Sequence, residues 1–193
     1  IVEAARTHPV VVRLKGGDPM VYGRAQEELD ALAAAGIATE VVPGITSALA
    51  ASASLGISLT RRGAARHVAF VTPRTGAGEA ASDWLATAVS ADTVALYMAS
   101  RQAPAIAAAL VGAGRSPATP ACVVENASLA TERIATTTLG ALAGHSPLAL
   151  EGPAVLLVGE VFREARAARP NLPWTPAAQS GSIGPERRLV SGR

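Results

Sequence analysis

The part of this chain whose residue types and spacing best suit small-molecule chemistry is the glycine turn Gly16-Gly17-Asp18-Pro19. It follows the β-branched run at residues 10–12 and precedes a stretch rich in glutamate and alanine. In an open α/β sheet the ligand lies beyond the carboxyl ends of the strands, and glycine lets the backbone approach it closely. The pattern therefore predicts a ligand-binding turn, although a plain strand-to-helix connection has the same local sequence.

Other chemistry-bearing residues give weaker signals. Glu27 and Glu28 lie early in a predicted helix, where solvation and the helix dipole account for them. His67 and His145 have no partners at metal-ligand spacing, so no metal site is predicted. The single Cys122 lies in an apolar run, which indicates a buried, inert thiol.

Apolar, β-rich runs alternate along the chain with alanine-rich stretches that favour helix. The predicted strands cover residues 10–14, 39–42, 67–72, 93–98, 121–125, 133–137 and 154–158. The predicted helices cover residues 23–35, 46–55, 78–90, 103–113 and 139–143. Short apolar strands separated by helices are typical of an α/β fold with a mainly parallel sheet covered on both faces.

A charged, glycine-containing stretch at residues 60–66 predicts a domain boundary. We expect a first domain at residues 1–62, a second at 63–166 and a disordered tail at 167–193, which is rich in Pro, Gly and Ser. Only two predicted strands precede the boundary, and two strands do not build an independent core. The first domain is therefore expected to be the second half of a larger one that begins upstream of Ile1.

Charge and composition exclude several classes of function. The formal net charge is +2, but the segment from Arg163 onward carries six arginines against two glutamates, so residues 1–162 are weakly acidic. An acidic body argues against a nucleic-acid partner, which needs clustered Lys and Arg. There is no run of about 18 apolar residues, so no membrane span is predicted. The lone cysteine fits a reducing compartment, and we expect a cytoplasmic protein.

Five sequence blocks in order carry a resemblance to a known family. They are VRLKGGDPMVYGR at 12–24, EVVPGITSA at 40–48, GISLTRR at 56–62, LYM at 96–98 and PAVLLVGEV at 153–161. Together they resemble the uroporphyrinogen-III C-methyltransferases of the tetrapyrrole methylase superfamily. The resemblance implies a two-domain α/β methylase, with a mainly parallel sheet in the truncated first domain and a mixed sheet in the second. It also implies a homodimer that binds S-adenosylmethionine in the cleft between its domains.

The resemblance implies which residues form the site. The cofactor would be contacted by Gly16, Gly17, Asp18, Val21, Thr46, Ser47, Met98 and Ala127. Because the implied substrate carries eight carboxylates, the cations near the cleft are candidates to bind it: Lys15, Arg24, Arg61 and Arg62. Simpler roles remain open for some of these residues, namely a helix N-cap for Thr46 or Ser47, core packing for Met98 and a solvated linker for the arginine pair.

The implied reaction is S-adenosylmethionine-dependent C-methylation of uroporphyrinogen III to precorrin-2, in siroheme or cobalamin biosynthesis and without a metal. The family's proton-transfer groups precede the Lys15-Gly16 block, so no catalytic acid or base is assigned here. We expect them upstream of Ile1 and expect the chain alone not to turn over. Methylation of a later precorrin and a non-catalytic remnant remain alternatives.

Two departures from the family pattern concern the adenosine side of the cleft. Residues 99–101 are Ala-Ser-Arg where the family typically has a glycine-containing turn, and Glu132 stands where the family usually has glutamine. Both bear on cofactor affinity more than on membership of the family. The sequence leaves open whether the parent protein is a stand-alone methylase or a fused enzyme of siroheme synthesis.

Overall fold

The computed structural model describes residues 1–76, 78, 80, 82–144 and 148–165. The helices are α1 (Val2–Thr7), α2 (Ala25–Ala34), α3 (Ser47–Leu55), α4 (Trp84–Ser90), α5 (Ala103–Gly112) and α6 (Leu139–Ala143). The strands are β1 (Val68–Val71), β2 (Thr93–Leu96), β3 (Pro120–Glu125), β4 (Arg133–Thr138) and β5 (Ala154–Gly159). Two short 3-10 turns lie at Ser100–Gln102 and Glu160–Arg163.

The five strands form one mixed sheet in the order β1-β2-β5-β3-β4. Strands β1 and β2 are parallel and are connected through α4, as a parallel pair requires. The other neighbouring pairs are antiparallel. The α/β class and the mixed sheet predicted for the second domain are confirmed.

The sheet is buried on both faces, because side chains alternate along each strand. Val94 and Leu96 belong to a core that includes residues of α4, α5 and α6. Ala95 and Tyr97 belong to a second core on the opposite face, which includes residues of α3. Burial on both sides explains why the central strands are apolar at nearly every position. Helix α3, from the N-terminal third of the chain, is thus docked on the sheet.

The strands predicted at residues 10–14 and 39–42 do not form. Val10, Val12 and Leu14 are 77%, 79% and 83% exposed, and Val42 is 73% exposed. A strand needs a hydrogen-bonded neighbour, and the described residues provide none for either segment. The predicted parallel sheet in residues 1–62 is accordingly absent from the described part of the chain, since β-branched composition alone does not make a strand.

One predicted helix begins later in the chain than the sequence indicates. Helix α4 begins at Trp84, not at residue 78, and the Asp83 carboxylate caps it by accepting a hydrogen bond from the backbone N–H of Ala86 at 3.3 Å. His145 and the predicted tail at 167–193 lie outside the described residues.

None of the helices in the described ranges is long and apolar enough to cross a membrane.

Candidate functional site

The glycine turn at residues 16–18 packs directly against the turn that precedes α3. A Cβ atom built on Gly44 would lie 2.5 Å from the carbonyl oxygen of Gly17, so only glycine permits this approach. Gly17 itself has a φ of +86°, and a Cβ on it would lie 3.3 Å from the carbonyl oxygen of Ile45. The two turns therefore meet through their backbones.

Asp18 links the same two turns with its side chain. Its Oδ1 atom accepts a hydrogen bond from the backbone N–H of Met20 at 2.8 Å. Its Oδ2 atom accepts one from the backbone N–H of Gly44 at 3.0 Å. The family resemblance implies that Asp18 contacts the cofactor. In the structure its carboxylate holds the site's two turns together.

Tyr97, at the end of β2, connects this pair of turns to the sheet. Its hydroxyl lies 2.7 Å from the Thr46 hydroxyl and accepts a hydrogen bond from the backbone N–H of Ala48 at 3.2 Å. Thr46 occupies the N-cap position of α3, as predicted for one of Thr46 and Ser47, but its hydroxyl is directed to Tyr97. Both partners are buried, so the contact is made away from water.

An aromatic cluster surrounds Tyr97. The rings of Tyr22 and Tyr97 have centroids 4.8 Å apart, and Phe70 lies 5.7 Å from Tyr97. The Tyr22 hydroxyl donates to the carbonyl oxygen of Phe70 at 2.8 Å. Burial and the neighbouring Tyr97 raise the pKa of Tyr22, so its hydroxyl stays a hydrogen-bond donor. The glycine-turn segment is thereby tied to β1 as well as to β2.

Met98 follows Tyr97 directly and lies at the surface. Its side chain is 49% exposed, so the alternative of core packing is wrong. Its φ of +54° is unfavourable for a residue other than glycine and costs about 1–3 kcal/mol. Strained backbone of this kind concentrates at functional sites, and here it presents a thioether beside the Tyr97 cluster.

Ala127 lies in the loop between β3 and β4, on the same side of the sheet. It packs against the apolar core that contains Tyr97, as does Val21. The residues on either side of it, Asn126 and Ser128, have φ values of 51° and 69°. A second strained loop thus lies beside the first.

Most of the predicted cofactor set is therefore gathered around Tyr97. Gly17, Asp18 and Thr46 are joined by the contacts between the two turns and Tyr97, and Val21 and Ala127 pack against the core that contains Tyr97. Met98 follows Tyr97 in the chain. Gly16 and Ser47 are exposed at the rim, each next to a member of this group.

Three of the four predicted substrate-binding cations are paired with glutamates. Lys15 lies 2.9 Å from Glu28 and also donates to the carbonyl oxygen of Gly23. Arg24 lies 3.0 Å from Glu27, and Arg61 lies 2.7 Å from Glu164. To bind a substrate carboxylate, each would have to exchange its glutamate. Among the described residues, Arg62 is exposed and has no ion-pair partner.

The structure adds ion pairing to the interpretation of Glu28, which the sequence explains by solvation and the helix dipole. Hydrogen bonds from Lys15 and then Arg13 hold the pKa of Glu28 below the usual range. No group of three or more His, Cys, Asp and Glu that could hold a metal ion occurs in the described part of the chain.

Sequence reasoning missed the two tyrosines at the centre of the site. They are the only tyrosines in a chain with 3% aromatic residues, and both lie inside the quoted blocks. That scarcity was the available signal, but it does not reveal that the rings of residues 22 and 97 lie in contact.

Comparisons with known proteins agree with this architecture. Residues 1–143 match the family model described as Tetrapyrrole (Corrin/Porphyrin) Methylases. A siroheme synthase from a Psychrobacter species is 46% identical over 164 residues, which cover 84% of this chain and 34% of the relative. The chain thus spans about a third of the length of the curated relatives it matches.

Solved structures from Thermus thermophilus are also similar. The native form of a uroporphyrin III C-methyl transferase superposes with a TM-score of 0.75 at 40% identity, covering 84% of this chain and 68% of that one. A uroporphyrin-III C-methyl transferase complexed with S-adenyl homocysteine gives a TM-score of 0.74 at 40% identity, covering 84% and 71%. With the family model matching most of its length, this chain belongs to the tetrapyrrole (corrin/porphyrin) methylase family.

Proposed function

We propose that this chain forms the S-adenosylmethionine site of a uroporphyrinogen-III C-methyltransferase. The observation that carries the proposal is the junction at Tyr97, where the glycine turn, the start of α3 and the strained Met98 meet. The relative crystallised with S-adenyl homocysteine shares this chain's fold at 40% identity, which supports the same class of ligand.

The residues present fit such a ligand. The Gly16-Gly17 turn offers exposed backbone N–H and C=O groups that a polar ligand can approach without meeting a side chain. Met98 offers an exposed, polarizable side chain suited to packing on an adenine ring. When bound, S-adenosylmethionine supplies a methyl group on a cationic sulfur for transfer to a nucleophilic carbon.

The site's own residues would bind and orient this ligand. The Asp18 carboxylate keeps the two turns in contact through Met20 and Gly44, so the ligand meets a preformed wall. Tyr97 keeps that wall attached to the sheet. Methyl transfer needs in-line alignment of donor and acceptor, which depends on such fixed geometry.

For the whole protein we propose uroporphyrinogen III as substrate and precorrin-2 as product, after two methyl transfers. The substrate's carboxylates would be bound by cations at the cleft, with Arg62 the first candidate because its charge has no partner among the described residues. Lys15, Arg24 and Arg61 would contribute if each exchanged its glutamate partner for a substrate carboxylate. A domain division near residue 62, a homodimer and a cytoplasmic location are part of the same proposal.

Calorimetric titration of the folded chain with S-adenosylhomocysteine tests the cofactor site. We expect saturable binding of one ligand per chain, weakened by Met98→Ala. Met20→Ala is the matched control, because Met20 is the chain's other methionine and is 53% exposed. Absence of binding by a folded sample would contradict the proposal and favour a non-catalytic remnant.

A methyl-transfer assay on the full-length parent protein tests the substrate. Labelled S-adenosylmethionine is supplied with either uroporphyrinogen III or precorrin-4, and transfer to uroporphyrinogen III is expected. Transfer to precorrin-4 alone would contradict the proposed substrate and leave the cofactor site intact.

A further inference from the structure

Glu132 joins the loop after β3 to helix α3 through a single oxygen atom. Its Oε2 accepts a hydrogen bond from the Ser54 hydroxyl at 2.6 Å and another from the backbone N–H of Ser128 at 2.8 Å. Ser54 lies near the end of α3, the helix whose first turn is bound to Tyr97. One side chain therefore connects the loop between β3 and β4 to the helix whose first turn belongs to the candidate site.

The loop that Glu132 holds is one that needs support. Asn126 and Ser128 both have positive φ values, and strain of this kind persists only where the surroundings enforce it. One end of the loop is fixed by the backbone N–H of Asn126, which donates to the carbonyl oxygen of Pro153 at 2.9 Å. At the other end, Glu132 bonds to Ser128, immediately beyond Ala127.

We propose that Glu132 is a positioning residue: it fixes the position of Ala127 relative to the residues around Tyr97, and it thereby sets the affinity of the site for the adenosyl ligand. This inference rests on the proposed function of the site. Glu132 acts through the loop and need not touch the ligand itself.

The geometry separates this role from an electrostatic one. Both donors converge on Oε2, so a single acceptor oxygen is enough to satisfy them. A glutamine side chain has one such oxygen and no charge. Glu132→Gln therefore keeps the connection, whereas Glu132→Ala removes it.

The test measures S-adenosylhomocysteine binding by calorimetry and amide hydrogen exchange of residues 126–131 by mass spectrometry. We expect Glu132→Ala to bind about tenfold or more weakly and to exchange faster in this loop. Glu132→Gln is expected to stay within about twofold of the original chain in both measurements. On this inference the departure from the family's usual glutamine does not alter cofactor affinity, contrary to the expectation from the sequence. Ser54→Ala, which removes one of the two bonds, should fall between them and serves if Glu132→Ala does not fold. Glu3→Ala, at an exposed position of α1, is the control.

Two results would overturn the inference while the proposed function stands: unchanged binding in Glu132→Ala, or binding as weak in Glu132→Gln as in Glu132→Ala. Loss of binding in both variants would indicate that the charge matters, not the shared oxygen. If the original chain does not bind the ligand, the proposed function fails, and with it the claim about affinity. Amide hydrogen exchange of residues 126–131 in the unliganded protein then still tests whether Glu132 holds the loop. Unchanged exchange in Glu132→Ala would refute that claim.

Discussion

The Thr46 hydroxyl lies 2.7 Å from the Tyr97 hydroxyl, although the two residues are 51 positions apart in the chain. This contact attaches the start of α3, and with it the glycine turn, to the end of a central strand. Together with the hydrogen bond from Tyr22 to Phe70, it joins the N-terminal third of the chain to the five-stranded sheet.

Replacing Tyr97 by phenylalanine should weaken both the fold and the site. The change removes the partner of Thr46 and the acceptor of the Ala48 N–H, both in a buried environment. Leaving such groups unsatisfied costs about 1–3 kcal/mol. We expect a free energy of unfolding lower by that amount in urea titrations, together with weaker binding of S-adenosylhomocysteine.

Tyr22→Phe is the matched control for this substitution. It also removes one phenolic hydroxyl, but Tyr22 is 41% exposed, so water can replace it at the carbonyl oxygen of Phe70. We expect a loss below about 1 kcal/mol. Equal losses of unfolding free energy in the two variants would show that the buried Tyr97 hydroxyl contributes no more to stability than the exposed Tyr22 hydroxyl.

Gly44→Ala should force the two turns apart. The added Cβ would lie 2.5 Å from the carbonyl oxygen of Gly17, a backbone atom that has little freedom to yield. Overpacking of this kind costs about 1–3 kcal/mol, and we expect denaturant titrations to show it. Gly16→Ala adds the same methyl group where no described heavy atom lies within 4 Å, so its stability should change by less than about 0.5 kcal/mol. A stable Gly44→Ala variant would contradict the direct contact.

The ion pairs of Glu28 should make stability depend on pH in the acid range. Lys15 and Arg13 lower the pKa of Glu28 in the folded state below its ordinary value of 4.5. A lowered pKa contributes stability that is present above the ordinary value and is lost as the pH falls through the folded one. In urea titrations from about pH 6 downward, Glu28→Gln should therefore lose stability less steeply than the original chain. Glu27→Gln, on the same helix, is the control, and parallel curves for the original chain and Glu28→Gln would refute the assignment.

Cys122 should be unreactive in the folded protein. Burial raises the pKa of its thiol to about 12, and the side chain is almost fully enclosed in the second core. The thiolate is the reactive form, so a disulfide reagent at about pH 8 should label the native chain only slowly. Because the chain has a single cysteine, unfolding in denaturant should release one thiol per molecule. Rapid labelling without denaturant would show that β3 is accessible.

The sequence by itself determined the elements whose evidence is local. The apolar runs of β2, β3 and β5 predict central strands, because a strand that is buried on both faces is apolar at nearly every position. Helix α3 is predicted from its alanine-rich run, and the structure ends it at Gly56, which has a left-handed conformation. The glycine turn is indicated by its own residues, whereas the role of Met98 comes from a family resemblance that depends on short, ordered blocks.

Only the tertiary structure decided the relationships between distant residues. Residues 10–14 have strand-forming composition, but no strand among the described residues pairs with them, so their composition does not produce a strand. Lys15 has the charge of a substrate ligand, yet it is paired with Glu28. Tyr97 stands at the centre of the site because packing brings Tyr22 and Thr46 to it. The physical reason is the same in each case: strand pairing, ion pairing and buried hydrogen bonds depend on which groups the fold brings together, and local sequence does not encode that.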